Sequence, residues 1–426
     1  MLEWLRQLPS TVRLVALIVL MYIGLVLLDH GGAFKSPAVV IGCIFVLTAF
    51  AGFLFLSGVR SAPTITQPSH KRIQLIAWSG FSEPEVVRPY EVSAETRLDV
   101  LEYVRGVEKV THLRHEGSLF DVLISDVEFL TRHHIGFKLQ SLLNSPEYAP
   151  LWDKVVPSLA SAVKQVGEGL GIPVRFGLND VVVNVKAAPQ PIREMIERND
   201  PDISYTLFKL QNLVKHADRG CRIGLWNWYL PTLTQLLLTD GVSIDEVALQ
   251  GRDRIQKLTD YISHNDAYFV LCDEPDIATQ YLIDRKVWII LGVGGAFLPP
   301  VEHGRDELRA IFPKEGGVLF VECAAVIRNP HGSEALSRSY LEHLLNVDTQ
   351  LLLSHRQSYR TSPVTKEALA HVSEQDYKRL NLHRVFNNRD DFTLVPNVVL
   401  RKLPTAFWRE WENCWEVVDN KIAHAK

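Results

Sequence analysis

Apolar and polar positions divide the chain into an apolar beginning and a long remainder in which strand and helix patterns alternate. Residues 14–28 and 38–57 carry no charged side chain, and a turn-prone segment with Gly31, Gly32 and Pro37 separates them. The second stretch has the roughly 20 residues that a helix needs to cross a bilayer, and the first approaches that length with its flanking residues. The pattern therefore predicts a transmembrane helical hairpin over residues 1–60, with the lipid bilayer as a partner.

The charges at the ends of this hairpin bear on its orientation. Arg6, Arg13 and Arg60 lie at the two ends, whereas Lys35 is the one lysine or arginine of the turn. Because positive charge favours the cytoplasmic side, we expect a two-pass protein of the bacterial inner membrane with its soluble part in the cytoplasm. The alternative is a cleaved signal peptide followed by a buried core helix, since a basic start and an apolar run are also typical of secretory signals.

Strand and helix patterns alternate after a polar linker over residues 61–72. Short apolar runs predict strands at residues 73–78, 109–113, 121–125, 181–185, 267–271, 287–291 and 317–321. Longer runs predict helices at residues 93–105, 230–238, 247–262 and 337–345. Strands that are apolar throughout are typical of parallel sheets buried on both faces, so this order predicts an α/β fold.

Composition narrows the classes of function. With 426 residues, 47% of them hydrophobic, the chain can bury ordinary cores. A formal charge of −4 with both signs mixed along the chain excludes the basic surface that nucleic-acid binding requires. The cysteines are odd in number and form no Cys-x-x-Cys motif, and we interpret them as buried thiols: Cys43, Cys221, Cys272, Cys323 and Cys414.

Motifs for catalysis, cofactors and metals are missing from the sequence. The Gly292-Val293-Gly294-Gly295 segment follows a predicted strand, but it lacks the third glycine of a dinucleotide fingerprint. The histidines show no His-Glu-x-x-His spacing, and there is no Gly-x-Ser-x-Gly elbow or phosphate-binding loop. We therefore expect a protein that is not an enzyme and that has no catalytic residues, cofactor or metal site.

Four stretches, in order and at similar spacing, resemble the type II solute-binding proteins of the spermidine/putrescine-binding family. They are Trp-Ser-Gly-Phe at 78–81, Phe-Asp-Val-Leu-Ile-Ser-Asp at 120–126, Gly-Ile-Pro-Val-Arg-Phe-Gly at 171–177, and Phe-Pro-Lys-Glu-Gly-Gly at 312–317. The second stretch departs from the family pattern because its turn proline is absent. The resemblance implies two α/β lobes that are joined by crossover strands and close on a ligand in a hinge motion.

Domain bounds follow from placing these stretches on that fold. We expect the hairpin at residues 1–60, the linker at 61–72, the first part of lobe 1 at 73–182 and lobe 2 at 183–310. Residues 311–426 would return to lobe 1 and add C-terminal helices. The expected fold class is thus a two-lobed type II periplasmic-binding-protein fold preceded by two transmembrane helices.

The resemblance also implies a cleft for a small cationic ligand. Aromatic faces would hold its aliphatic chain and carboxylates would pair with its ammonium groups. Carried over residue by residue, the ligand-binding positions are Trp78, Ser79, Phe81, Asp126, Glu128, Trp226, Trp228, Asp273 and Glu322. Trp226, Asn227 and Trp228 stand where the family has Thr-Asp-Asp, so the second lobe has lost a head-group carboxylate.

Two functions are consistent with this pattern. In the first, a membrane-anchored solute-binding protein captures a small amine, with a polyamine as the candidate, and presents it to an ABC-type transporter. That function requires the soluble part to face the periplasm, against the charge bias of the hairpin. In the second, a sensory or accessory subunit of a membrane complex keeps the fold with an altered cleft.

Overall fold

The computed structural model describes residues 72–103, 119–218, 220–243, 246, 252–294, 307–354, 361–402 and 408–424. All of these residues belong to one compact unit. The predicted hairpin and strand 109–113 lie outside the described residues, and of the predicted linker only Arg72 is described.

The described strands form two sheets. Their bounds are β1 (Arg72–Trp78), β2 (Arg97–Tyr103), β3 (Val122–Asp126), β4 (Ile172–Asn179), β5 (Val181–Asn184), β6 (Arg222–Trp226), β7 (Phe269–Cys272), β8 (Val287–Leu291), β9 (Leu308–Ile311), β10 (Gly317–Val326) and β11 (Val398–Leu400). The first sheet has the order β11-β10-β3-β1-β2, with β4 also paired to β10. The second sheet has the order β7-β6-β8-β5-β9. We call the parts built on these sheets lobe 1 and lobe 2.

Helices flank both sheets. Their bounds are α1 (Pro84–Ala94), α2 (Leu130–Phe137), α3 (Ala149–Lys154), α4 (Pro157–Gly167), α5 (Gln190–Glu197), α6 (Leu210–His216), α7 (Tyr229–Thr239), α8 (Arg252–His264), α9 (Pro275–Ile283), α10 (Glu334–Leu344), α11 (Val347–Ser354), α12 (Lys366–His371), α13 (Glu374–Arg379), α14 (Leu382–Val385) and α15 (Trp408–His424). Short 3-10 turns include Val127–Phe129 and Tyr205–Phe208.

Burial of the central strands explains their apolar sequences. Every residue of β3, β4, β5, β8 and β10 is buried, because helices and neighbouring strands cover both faces of the sheets. β1 pairs in parallel with β2 and β3, and β6 pairs in parallel with β7 and β8. The parallel strands of each sheet therefore end at one edge, where α/β folds commonly place their ligands.

The helix predicted over residues 93–105 is wrong. Arg97–Tyr103 form β2, the edge strand beside β1, while the preceding helix ends at Ala94. An edge strand has one neighbour and leaves polar residues such as Asp99 and Glu102 only half-buried. Its mixture of apolar and charged positions therefore imitates an amphipathic helix.

The chain crosses between the sheets at two described places. Asp180 links β4 to β5, and residues 312–316 link β9 to β10. At the second crossover the Glu315 carboxylate accepts hydrogen bonds from the Ser204 hydroxyl and from the Tyr205 N–H, the latter at 3.0 Å. Gly316 has φ +112°, and a Cβ there would lie 1.8 Å from the Asn397 carbonyl oxygen. The Pro-x-Glu-Gly-Gly segment is thus explained by the geometry of a crossover.

The C-terminal helix α15 packs against lobe 2. Trp411, Cys414, Trp415 and Val418 are buried in the same apolar cluster as residues of α7, α8 and β6. β10 and β11, by contrast, belong to the first sheet. The last part of the chain therefore contributes to both lobes.

The predicted localisation, a two-pass inner-membrane protein, requires correction. None of the helices in the described ranges is long and apolar enough to cross a membrane. The longest of them, α15, has 17 residues and carries charged side chains along its length. This finding concerns the described residues, which do not include the predicted hairpin.

Candidate functional site

Aromatic side chains meet where the carboxyl ends of the parallel strands of the two lobes come together. Trp78 ends β1 and Tyr103 ends β2, and their ring centroids lie 4.7 Å apart. Trp228, which precedes α7 of lobe 2, lies 5.7 Å from Trp78 and 6.2 Å from Phe129 of lobe 1. Trp228 therefore packs among aromatic rings of the opposite lobe.

A buried arginine occupies the centre of this arrangement. Arg401 follows β11 and its guanidinium carbon lies 4.6 Å from the centroid of the Trp228 ring. Its Nη2 lies 2.9 Å from Asp126 Oδ2, and its Nε donates a hydrogen bond to Glu128 Oε1. Nη1 donates to the Asn179 side-chain oxygen at 3.3 Å. We call Asp126, Glu128, Trp228 and Arg401 the interlobe cluster.

A second buried ion pair lies beside the interlobe cluster. The pairing of β10 with β3 and β4 sets Glu322 opposite both Asp126 and Arg175. Arg175 Nε and Nη2 donate to the two Glu322 carboxylate oxygens at 2.6 and 3.0 Å, and both side chains are 1% exposed. Nη2 also donates to the Ser79 carbonyl at 3.1 Å, and the guanidinium lies 4.5 Å from the Phe81 ring centroid.

Burial raises the pKa values of the three acids of this region, Asp126, Glu128 and Glu322. Removal from water raises the pKa of Glu128 to about 7, against the opposing effect of Arg401. Burial also raises the pKa of Glu322 to about 7, although Arg175 lowers it, and raises the pKa of Asp126. When all are ionised, the region holds one more carboxylate than guanidinium.

Polar atoms without partners mark the same region. The indole N–H groups of Trp78 and Trp228 are buried and donate to no acceptor among the described residues. Within the same ranges, Glu128 Oε2 accepts no hydrogen bond. A buried donor or acceptor without a partner is costly.

The loop that carries Trp228 is fixed by its neighbour Asn227. The Asn227 amide nitrogen donates to Asp273 at 2.7 Å and to Asp419 at 3.2 Å, while its oxygen accepts from the Trp415 indole N–H at 3.0 Å. The C-terminal helix therefore anchors the loop through one amide. Asp273 serves this anchor in the present arrangement.

The structure brings together most of the predicted ligand-binding residues, but in two different ways. Trp78, Asp126, Glu128 and Trp228 meet at the interlobe cluster, whereas Ser79, Phe81 and Glu322 surround Arg175. Trp226 and Asp273 lie apart, in lobe 2: Trp226 is half-buried against a small apolar cluster on the second sheet. That these residues bind a ligand stays a prediction.

Sequence reasoning missed Arg175, Arg401, Tyr103 and Phe129. Arg175 had a usable signal, because it is a charged residue inside the otherwise apolar strand 172–178. The signal of Arg401 was weaker, because Arg401 and Lys402 follow a short strand and two basic residues in that position are typical of an exposed loop. Only the fold shows that the Arg401 side chain is 2% exposed.

Two cavities lie elsewhere in the described part of the chain. The larger, of about 1060 Å³, is between β9 and the segment α13–α14, and is lined by basic side chains such as Lys186, Arg309 and Lys378. The other, of about 520 Å³, adjoins Asp121 and Asn329. None of the nine predicted ligand-binding residues lines either cavity.

Comparisons with known proteins assign the fold. No protein-family model and no curated protein matches the chain. Among solved structures, the Atu4243-GABA receptor has a TM-score of 0.59 at 12% identity, over 83% of this chain and 98% of that one. The spermidine/putrescine ABC transporter substrate-binding protein PotD from Streptococcus pneumoniae has a TM-score of 0.57 at 13% identity, over 83% and 99%. A periplasmic thiamin binding protein has a TM-score of 0.52 at 16% identity, over 82% and 96%.

These similarities define the class of fold. The described chain has the mixed α/β, two-sheet fold of these periplasmic binding proteins, which confirms that part of the expected fold; the two transmembrane helices expected before it lie outside the described residues. Two of the named proteins are called binding proteins and the third is called a receptor. At such low identity the likeness concerns the fold alone, and the ligand has to be argued from the site.

Proposed function

We propose that the protein is a solute-binding protein that captures a small cationic ligand between its lobes and presents it to an ABC-type transporter. The observation that carries this proposal is the position of Trp228. It is supplied by lobe 2, its ring centroid lies 5.7 Å from that of Trp78, and it faces the carboxylates Asp126 and Glu128 of lobe 1 across the Arg401 guanidinium. An aromatic face opposed to carboxylates is the chemistry that recognises an organic cation.

The charges of the region favour a ligand with one cationic group. Arg401 offers one cationic group to Asp126 and Glu128, so a ligand that took its place would bring one ammonium or guanidinium group to these carboxylates. The indole N–H groups of Trp78 and Trp228 would donate to an oxygen of the same ligand. The sequence resemblance suggests spermidine and putrescine. They carry more than one ammonium group, so they fit the place of a single guanidinium less well than an amine with one ammonium group and one oxygen acceptor.

Calorimetric titration of the full chain tests this proposal. The panel should contain spermidine, putrescine and γ-aminobutyric acid, which carries one ammonium and one carboxylate group. We expect binding of one molecule per chain, with an affinity at least tenfold lower in Trp228→Ala because the cation loses its aromatic face. Arg309→Ala, an exposed residue of the larger cavity, is the matched control and should bind normally. Absence of heat with every compound, or equal binding by Trp228→Ala, would refute the proposal.

A second candidate function has a specific observation in its favour. Each of the three buried acids already pairs with an arginine of the chain itself. A sensory or accessory subunit of a membrane complex could keep the fold with such a self-paired cleft. If the wild-type protein binds none of the panel while Arg401→Ala binds a cation, this second function is favoured over solute capture.

A further inference from the structure

Arg401 makes the contacts that a bound organic cation would make in this fold. Its guanidinium lies between the Trp228 ring and the carboxylates Asp126 and Glu128, and it also contacts the Phe320 ring with a distance of 5.8 Å to the centroid. Flat aromatic faces on one side and two carboxylates on another are the elements of a cation site. This site is already complete without a ligand.

The two lobes contribute different parts of that site. The backbone N–H of Arg401 donates to the Leu319 carbonyl at 2.6 Å. This hydrogen bond continues the pairing of β11 with β10 and fixes the arginine to lobe 1. Asp126 is the last residue of β3 of the same lobe, and Glu128 lies two residues further on. Trp228 alone comes from lobe 2, and the loop that carries it is held by Asn227. The guanidinium therefore joins lobe 1 to lobe 2 through one aromatic face.

We propose that the Arg401 guanidinium is the resident occupant of a subsite for a single organic cation, and that it holds the lobes together in the absence of solute. A ligand cation reaches Trp228 by displacing this guanidinium. The second statement rests on the proposed function, whereas the first does not. The chemical class of the competing ligand is a guanidinium or alkylammonium ion.

The variant Arg401→Ala leaves the subsite vacant, and the groups around it predict which small ions should bind there. Asp126, Glu128 and Trp228 stay in place in Arg401→Ala, and the missing group is a planar cation. Guanidinium ion restores both charge and shape, and methylammonium restores the charge alone. Urea has the shape of guanidinium without its charge, so it separates recognition of a cation from general solvent effects.

Thermal unfolding of the full chain tests whether the Arg401 guanidinium occupies a cation subsite. In Arg401→Ala we expect the midpoint temperature to rise saturably with millimolar guanidinium chloride, as for a ligand that binds only the folded state. Urea and sodium chloride at equal concentration should produce no such rise. Neither the wild type nor Arg309→Ala should respond, because the subsite is filled in both. Equal responses of Arg401→Ala and Arg309→Ala would overturn the proposal.

A second variant keeps the test decisive if the alanine variant does not fold. Arg401→Ala/Glu128→Gln removes one charge of each sign and so preserves the net charge of the region. It retains Asp126 and Trp228, and we expect the same saturable stabilisation by guanidinium. Lack of stabilisation in this charge-matched variant would equally overturn the proposal.

Affinity for a solute tests the displacement step. Because the wild type must first lose the contact between Arg401 and Trp228, any panel compound that binds it should bind Arg401→Ala about tenfold more tightly or better. A lower affinity in the variant would show that Arg401 assists binding, which contradicts displacement. If no compound binds the wild type, solute capture fails, while the guanidinium result still decides the role of Arg401.

Discussion

Replacement of Arg175 by methionine should destabilise the protein strongly and in a pH-dependent way. The variant removes two hydrogen bonds to Glu322, of 2.6 and 3.0 Å, from a place where both side chains are 1% exposed. A buried carboxylate that loses its partner costs about 3–5 kcal/mol, which is the loss that we expect at pH 8. At pH 5 the loss should be smaller, because Glu322, whose pKa burial raises to about 7, becomes neutral.

Urea denaturation followed by circular dichroism measures this effect. Arg175→Met/Glu322→Gln should recover a large part of the lost free energy of unfolding, because no unpaired charge remains. Arg254→Met is the matched control: its pair with Asp240 is 42% and 39% exposed, so we expect a loss of less than about 1 kcal/mol. A pH 8 loss in Arg175→Met as small as that of the control would refute the reasoning.

Three further predictions follow from the geometry. Burial raises the pKa of Glu128 to about 7, so between about pH 4.5 and 7 the folded state binds a proton that the unfolded state has released. The free energy of unfolding should therefore fall as the pH rises through this range. In a pH series of urea titrations, Glu128→Gln should flatten that fall. A cation that binds beside Glu128 near pH 7 should expel this proton, so its calorimetric heat should depend on the ionisation enthalpy of the buffer; buffer-independent heat would contradict this. Gly316→Ala should lower the free energy of unfolding by more than about 2 kcal/mol, because the residue has positive φ and the new Cβ would clash with the backbone. Gly241→Ala is the control: its φ is +82° but the space around the new Cβ is open, so it should lower the free energy of unfolding by only about 1 kcal/mol.

The sequence predicted interior strands such as β8 well because their environment is uniform, but it did not predict β6 (Arg222–Trp226), which lies between β7 and β8 and is only half-buried at its two ends. Val287–Leu291 is apolar throughout and buried on both faces, so composition alone indicated its bounds. At the edge of the first sheet the same reasoning failed, since Arg97–Tyr103 has one neighbouring strand and a mixed pattern.

The acids of the candidate site and its two tryptophans were predictable from the sequence, whereas both arginines and the aromatic residues Tyr103 and Phe129 were not. Glu322 and Arg175 are 147 positions apart, and Arg401 lies 273 positions from Glu128. No local pattern reports pairing over such distances; only strand register places these charges together. The sequence therefore indicated a site rich in negative charge, whereas the fold neutralises most of that charge internally.

Hydrogen–deuterium exchange of the full chain, with and without the tightest-binding compound of the panel, tests the central claim most directly. Capture of a cation between the lobes predicts changed exchange in peptides that contain Trp78, Glu128 and Trp228, from both lobes at once. Peptides that line the larger cavity, such as those with Arg309 and Lys378, should be unaffected. Saturating binding with changes confined to that cavity, or to one lobe, would contradict the assignment of the interlobe cluster as the ligand site.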